Sequence, residues 1–118
     1  MKKILVIDDD ELILEWLQQL LEPRGFSIAT LQQNEGSLTI IELFKPDIIL
    51  LDFYIGETTS FELAKTVKLT PATANIKIIF ISVNGELRKS FREFFGDDFI
   101  EKPLEIPQLL QKIDRLCP

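Results

Sequence analysis

The sequence predicts an α/β fold of five βα units, (βα)5, built on a doubly wound parallel sheet. Three observations carry this. Short, almost wholly apolar runs such as Ile48–Leu51 and Ile76–Ile81 each stop at a polar residue, Asp52 or Ser82. Longer stretches with apolar residues at helical spacing separate them. Strands apolar on both sides, alternating with helices, belong in a parallel sheet covered on both faces. The 118 residues suit a single domain spanning residues 1–118.

The elements follow in order. Ile4–Ile7 is the first strand, closed by Asp8. Leu12, Ile13, Trp16, Leu17, Leu20 and Leu21 recur at helical spacing, and Pro23-Arg24-Gly25 stops that helix. Phe26–Thr30 reads as a second, less buried strand. Leu38, Ile41 and Leu43-Phe44 mark a second helix, ended before Pro46, with Gly36 leaving its start open. Ile48–Leu51 is the third strand. Phe61, Ala64, Val67 and Lys68 form the third helix, for which Thr59 and Glu62 offer a capping box. Ile76–Ile81 is the fourth strand, and Leu87, Phe91, Phe94 and Phe95 give a fourth helical stripe. Phe99-Ile100 is a short fifth strand. Ile106, Leu109, Leu110, Ile113 and Leu116 give the fifth helix, with Pro107 in its first turn. Right-handed crossovers then favour the flavodoxin-like strand order 2-1-3-4-5, whose ligands bind outside the carboxyl ends of the strands.

Composition removes whole classes of chemistry. The net charge is −6, which argues against nucleic acid or an anionic membrane as partner. There is no histidine, so no Ser-His-Asp or Cys-His catalysis and no histidine-bound zinc within this chain. The one cysteine, Cys117, excludes an internal disulfide, and with no signal sequence it fits a reducing, cytoplasmic setting. No apolar run is long enough to span a membrane.

The polar residues that close the strands are the informative ones. Strand 1 ends in Asp8-Asp9-Asp10, strand 3 in Asp52, strand 4 in Ser82 and strand 5 in Lys102-Pro103. Neighbouring strands lie about 4.8 Å apart, so these side chains converge on one rim. Clustered carboxylates repel unless a cation sits among them, and Mg²⁺ with carboxylate and water ligands meets that need. A lysine and a hydroxyl suit phosphoryl oxygens, and the chemistry suggested is phosphoryl transfer onto a carboxylate. Each residue has a plainer reading. Asp9 or Asp10 could cap the first helix, Asp52 and Ser82 could be turn residues, and Lys102 a solvated lysine. Four strand ends facing one rim favour the constellation.

Four segments, KILVIDDD (3–10), PDIILLDF (46–53), IIFIS (78–82) and GDDFIEKP (96–103), resemble the response-regulator receiver domain of two-component signalling in order and spacing. The resemblance runs from Lys2 to about Leu116. It implies Asp52 as phospho-acceptor and Asp8 and Asp9 as the acidic pair. Asp9, Asp52 and the Tyr54 carbonyl would ligate Mg²⁺, with Asp8 acting partly through water. It implies Lys102 as phosphoryl ligand, Ser82 as switch hydroxyl, Phe99 as switch aromatic and a cis Lys102-Pro103 bond. The implied partner is a sensor histidine kinase or histidine phosphotransfer protein, with an unknown downstream target. Such a chain is a signalling domain that catalyses only its own phosphorylation and dephosphorylation. Gly56 and Ser60 stand where the family usually has proline and glycine, Tyr54 is bulky for its place, and Val83 replaces the small residue usual after the switch hydroxyl.

Two other readings compete. One is a pseudo-receiver that only binds proteins. The other is a small phosphatase with an Asp nucleophile, imitated by Asp8-x-Asp10, Ser82-Val83-Asn84 and Gly96-Asp97-Asp98, which leaves Asp52 unexplained. A flavodoxin-like FMN binder would need a different loop after strand 1. The chain carries no output segment, so it is expected to be a stand-alone receiver or the amino-terminal part of a longer protein. The expected signalling face is helix 4, strand 5 and helix 5, a candidate homodimer surface, with Lys112 placed to pair with Asp97 or Asp98 across it as a weak, exposed pair.

Overall fold

A computed structural model describes residues 1–118. Strands β1 (Lys3–Ile7), β2 (Ser27–Leu31), β3 (Ile48–Asp52), β6 (Lys77–Ser82) and β7 (Asp98–Glu101) form one sheet in the order β2-β1-β3-β6-β7. All four neighbouring pairs are parallel. Taken as the five strands of the sheet, this is the expected order 2-1-3-4-5. Between β3 and the third helix lies an unexpected antiparallel ribbon, β4 (Tyr54–Ile55) with β5 (Thr58–Thr59).

The helices are α1 (Glu11–Leu21), α2 (Ser37–Phe44), α3 (Phe61–Leu69) and α4 (Ile106–Leu116). The period-2 alternation of the strands divides the core between two faces. Ile4, Val6, Ile48, Leu50, Ile79, Ile81 and Ile100 face α1 and α4, through Leu14, Leu17, Leu21, Leu109 and Ile113. Leu5, Ile7, Ile49, Leu51, Ile78, Phe80 and Phe99 face the other way, toward Ile41 and Leu63, Ala64 and Val67. Every residue of β3 is buried, whereas all five of β2 are half-buried, as an edge position requires.

The expected fourth helix is not a helix. Gly85–Lys89 is a 3₁₀ turn capped by Asn84, whose side chain accepts from the Glu86 amide, and further turns carry the chain to Gly96. Glycine, serine and three phenylalanines are a poor sum of helix propensities, and Ser90 at φ −131° breaks the run. The apolar stripe still does its packing. Leu87 is buried, and Phe91, Phe94 and Phe95 are half-buried against the α2–α3 face. The segment ends in a Schellman turn: the Gly96 amide donates to Phe91 O (2.9 Å) and the Phe95 amide to Arg92 O (3.1 Å). The left-handed position of that turn falls on Phe95, at φ +71°, not on the glycine. Gly96 is needed for space instead. A Cβ there would lie 2.5 Å from Phe80 Cδ2, and Phe80 is fully buried.

The capping box is also absent. Thr59 belongs to the ribbon, and Ser60, the residue before α3, makes no side-chain cap bond. Across the expected signalling face, Lys112 does reach Asp98, at 2.9 Å, and Arg115 reaches it too. The Asp98 side chain is only 7% exposed, so this is a partly buried cluster and not the weak surface pair the sequence suggested.

Replacing Gly96 with alanine should destabilise the fold by about 1–3 kcal/mol, because neither Phe80 nor the Phe91 carbonyl can retreat. Urea denaturation of Gly96→Ala against the parent chain measures this, and an unchanged midpoint would show that the ring does yield.

Candidate functional site

The site sits where β1, β3, β6 and β7 run out at their carboxyl ends. Asp8 follows β1 directly and is fully buried. Its Oδ1 accepts from the Asp10 amide at 2.9 Å. Asp10 is the cap of α1, its Oδ1 accepting from the Leu12 amide at 3.0 Å. The helix cap is therefore Asp10, which leaves Asp9 exposed at the rim, its Oδ2 accepting from the Gly56 amide at 3.0 Å. Asp52, the last residue of β3, is 5% exposed. One carboxylate oxygen from each of Asp8, Asp9 and Asp52 lies within 4.8 Å of the others.

Lys102 enters from the end of β7. Its amide donates to Ser82 O (2.8 Å), tying the ends of β6 and β7 together. Its Nζ lies 2.9 Å from Asp8 Oδ2 and 3.4 Å from Asp52 Oδ2. Asp8 Oδ2 is buried, and this ammonium is its charged partner. The peptide bond to Pro103 is cis. Ser82 is buried, and its Oγ accepts from the Asn84 amide at 3.1 Å, leaving its own proton free to be donated.

The charges do not balance: three carboxylates face one ammonium. The Asp52 carboxyl is pushed up to about 7 from an ordinary 3.8. Burial is the largest cause and the Asp8 charge the next, while Lys102 opposes both and Asp9 adds to the rise. For Lys102, burial works against the charge, but its contacts with Asp8 and Asp52 outweigh it and the net shift is upward. Three hard carboxylate ligands with one ammonium among them fit a small divalent cation such as Mg²⁺.

The loop after Asp52 replaces the usual proline with a tight turn. Gly56, at φ +60°, is the first of two residues joining β4 to β5, a conformation proline cannot reach. Tyr54 is 43% exposed, its ring edge-on to Phe53 at 5.0 Å. Val83 is 74% exposed, so its side chain points to solvent and does not crowd the rim. Phe99 is only 4% exposed, its ring already inward, with the Arg88 guanidinium 5.7 Å from its centroid and that same Arg88 paired to Glu101 at 3.1 Å. Next to Lys102, residues Ile13, Trp16, Val83, Pro103 and Leu104 wall an open apolar groove of about 580 Å³.

Sequence reasoning brought Asp8, Asp9, Asp52 and Lys102 to one rim, and they meet there. It missed Ser60, which is fully buried beneath Asp52 and donates from Oγ to Asp52 O at 2.6 Å. The only signal was a serine eight residues after Asp52.

Fold and rim together define a doubly wound α/β domain with an acidic cluster and one lysine at the carboxyl edge of its sheet. A family model described as the response regulator receiver domain matches residues 4–114, and the chain belongs to that family. It is 32% identical over 114 residues to the phosphate regulon transcriptional regulatory protein PhoB of Pseudomonas aeruginosa, covering 95% of this chain and 50% of that protein. It is 30% identical over 115 residues to protein RcaC of Microchaete diplosiphon, covering 96% of this chain and 18% of that protein. The chain thus spans half or less of the length of these curated relatives. Among solved structures it resembles response regulator TrrA of Thermotoga maritima in complex with Mg²⁺-BeF, with a TM-score of 0.85, 26% identity and coverage of 98% and 99%. A two-component response regulator of Clostridium difficile gives a TM-score of 0.86, 25% identity and coverage of 98% and 95%. No helix is long and apolar enough to cross a membrane.

The raised Asp52 pKa has a signed consequence. Between pH 3.8 and about 7 the native state holds a proton that the unfolded chain has released, so this group's stabilisation falls as pH rises through that window. In metal-free buffer, the parent chain should lose stability relative to Asp52→Asn between those limits and run parallel to it outside them. Denaturation curves across the pH range test this; a constant difference would mean that the Asp52 charge sits there without penalty.

Proposed function

We propose that Asp52 accepts a phosphoryl group from a sensor histidine kinase or histidine phosphotransfer protein, with Mg²⁺ held by Asp8, Asp9, Asp52 and the Tyr54 carbonyl. The observation that carries this is the buried Asp52 carboxylate beside Lys102, in a carboxylate cluster whose remaining charge needs a cation. In the transfer, an Asp52 oxygen forms a bond to phosphorus as the bond from phosphorus to the donor imidazole nitrogen breaks. A cation held by these carboxylates would offset their charge and supply electrostatic stabilisation for the transferred phosphoryl group. Lys102 Nζ, held by Asp8 at 2.9 Å, is placed to take a phosphoryl oxygen. The Ser82 hydroxyl, with its proton free, is the donor for another. The apolar groove beside Lys102 gives a phosphodonor protein a footing next to the reacting atoms.

The switch in this reading runs through Ser82 and Phe99. A hydrogen bond to a charged group contributes about 1.5–3 kcal/mol, and a full reversal of a two-state equilibrium needs about 5.5 kcal/mol. Ser82 alone is therefore too weak. Phe99 carries no hydroxyl that must be satisfied inside, and its ring is already buried in this structure. The output surface would be β7, α4 and the turns of residues 85–96.

Acetyl phosphate with Mg²⁺ should add the mass of one phosphoryl group to the parent chain and none to Asp52→Asn. Labelling that persists and maps to Asp8 would turn the reading toward a phosphatase-like site, and a parent chain that never labels would make it a protein-binding module. Asp9→Ala should keep the fold, weaken Mg²⁺ binding in calorimetry and block labelling; normal labelling would strip Asp9 of its metal role. In NMR, the inward Phe99 ring contacts should become more fully populated on adding beryllofluoride, and a ring that is outward in both states, or unchanged between them, would end the Phe99 assignment.

A further inference from the structure

We propose that Ser60, oriented by Asn34, is a positioning residue for the phospho-acceptor: it fixes the main chain at Asp52 and so the geometry of the carboxylate and of the loop that follows. The inference rests on Asp52 being the acceptor and adds two residues to its support. Ser60 alone holds two consecutive carbonyls at the end of β3. Its hydroxyl donates to Asp52 O at 2.6 Å, and its amide donates to Phe53 O at 2.7 Å. The bond to Asp52 O matters because pairing of β1 with β3 ends at Ile7 and Leu51, one residue short of Asp52, which is paired only on its other side, with Ile81 of β6. The Asp52 carbonyl would otherwise lie at the end of a buried strand without a ladder partner.

The Ser60 hydroxyl is itself held by a second residue. Asn34, in the loop between β2 and α2, donates from Nδ2 to Ser60 Oγ at 3.0 Å. A hydroxyl that accepts from an amide has its one proton left for the Asp52 carbonyl. Asn34 is held in turn, its main-chain carbonyl accepting from Ser37 Oγ at 2.6 Å, and Ser37 is fully buried. Because the Asp52 carbonyl can only accept, the Ser60 proton points to it, and Asn34 must face Ser60 with its amide donor. The loop between β2 and α2 and the segment that follows the β4–β5 ribbon are thereby tied to the Asp52 backbone. The glycine usual at the position of Ser60 could make neither side-chain bond.

Two variants test the relay. Ser60→Ala removes the hydroxyl. Asn34→Asp keeps the shape of Asn34 but replaces the amide donor with an acceptor, so that the Ser60 proton is drawn to it and away from Asp52. Both should lower Mg²⁺ affinity in calorimetry and the rate of labelling by acetyl phosphate by about 10- to 100-fold, as losses behind a metal site do. Both should also shift the carbonyl ¹³C resonance of Asp52 in the metal-free protein, a signature that altered global stability would not give. Melting curves identify a variant that fails to fold; if Ser60→Ala does, Asn34→Asp decides. Variants that match the parent in Mg²⁺ affinity, rate and carbonyl shift overturn the Ser60 assignment alone. A parent chain that binds Mg²⁺ but never labels overturns the acceptor reading and this inference with it.

Discussion

Two buried carboxylates share one lysine, and much of the rim is arranged around that imbalance. Asp8 is fully buried and Asp52 nearly so, and Lys102 lies within 3.4 Å of both. One ammonium neutralises at most one of them, so the second carboxylate either keeps a proton or waits for another cation. Elsewhere in a core this would be a defect of several kcal/mol. Here it is held in place by the strongest part of the fold. Asp8 and Asp52 end the two central strands, whose residues are buried almost throughout, and Lys102 is bound through its amide to the neighbouring strand. A sheet with less apolar bulk behind the rim could relax and let water in.

The secondary elements around the rim divide the labour by chemistry. Asp10 satisfies the start of α1, which frees Asp9 from that task. Gly56 makes a turn that returns its amide to Asp9, so the ribbon and the acidic pair are bonded to one another. Ser60 then closes the ribbon against the end of β3. The loop differs from the usual family sequence at two positions, and both substitutes form specific bonds to site residues. The departures therefore form one alternative way of bracing the same carboxylate.

What could be read from the sequence was what period and strand-end chemistry encode. The apolar runs at Ile4–Ile7, Ile48–Leu51 and Ile76–Ile81 are buried strands within a residue or so, and Asp8, Asp9, Asp52 and Lys102 meet as their positions required. The sequence failed where one residue type serves two needs. Leu87, Phe91, Phe94 and Phe95 keep helical spacing, yet that spacing reported only which face is apolar; Gly85, Ser90 and the crowded Phe80 ring favoured turns. Thr59 and Glu62 matched a capping pattern, but the hydroxyl beside them was Ser60, already committed to Asp52. Gly96 is clearance for the Phe80 ring. The Ser60–Asp52 and Gly96–Phe80 contacts join residues apart in sequence, which no local pattern contains, whereas the weak helix propensity of residues 85–96 was local.

The Asp98 cluster bears on how the β7–α4 face can meet another molecule. Lys112 and Arg115 project from α4 with their charge already engaged by a carboxylate of the same chain, and that carboxylate also holds the Phe99 amide at 2.7 Å. An acidic group on a second protein would have to compete for them. Each ion pair formed across such an interface would be an exchange of partners, with little net electrostatic gain and with Asp98 left to be resolvated. Attraction at this face must then come from shape and apolar contact, and charge would serve as a filter that rejects partners unable to complete the exchange.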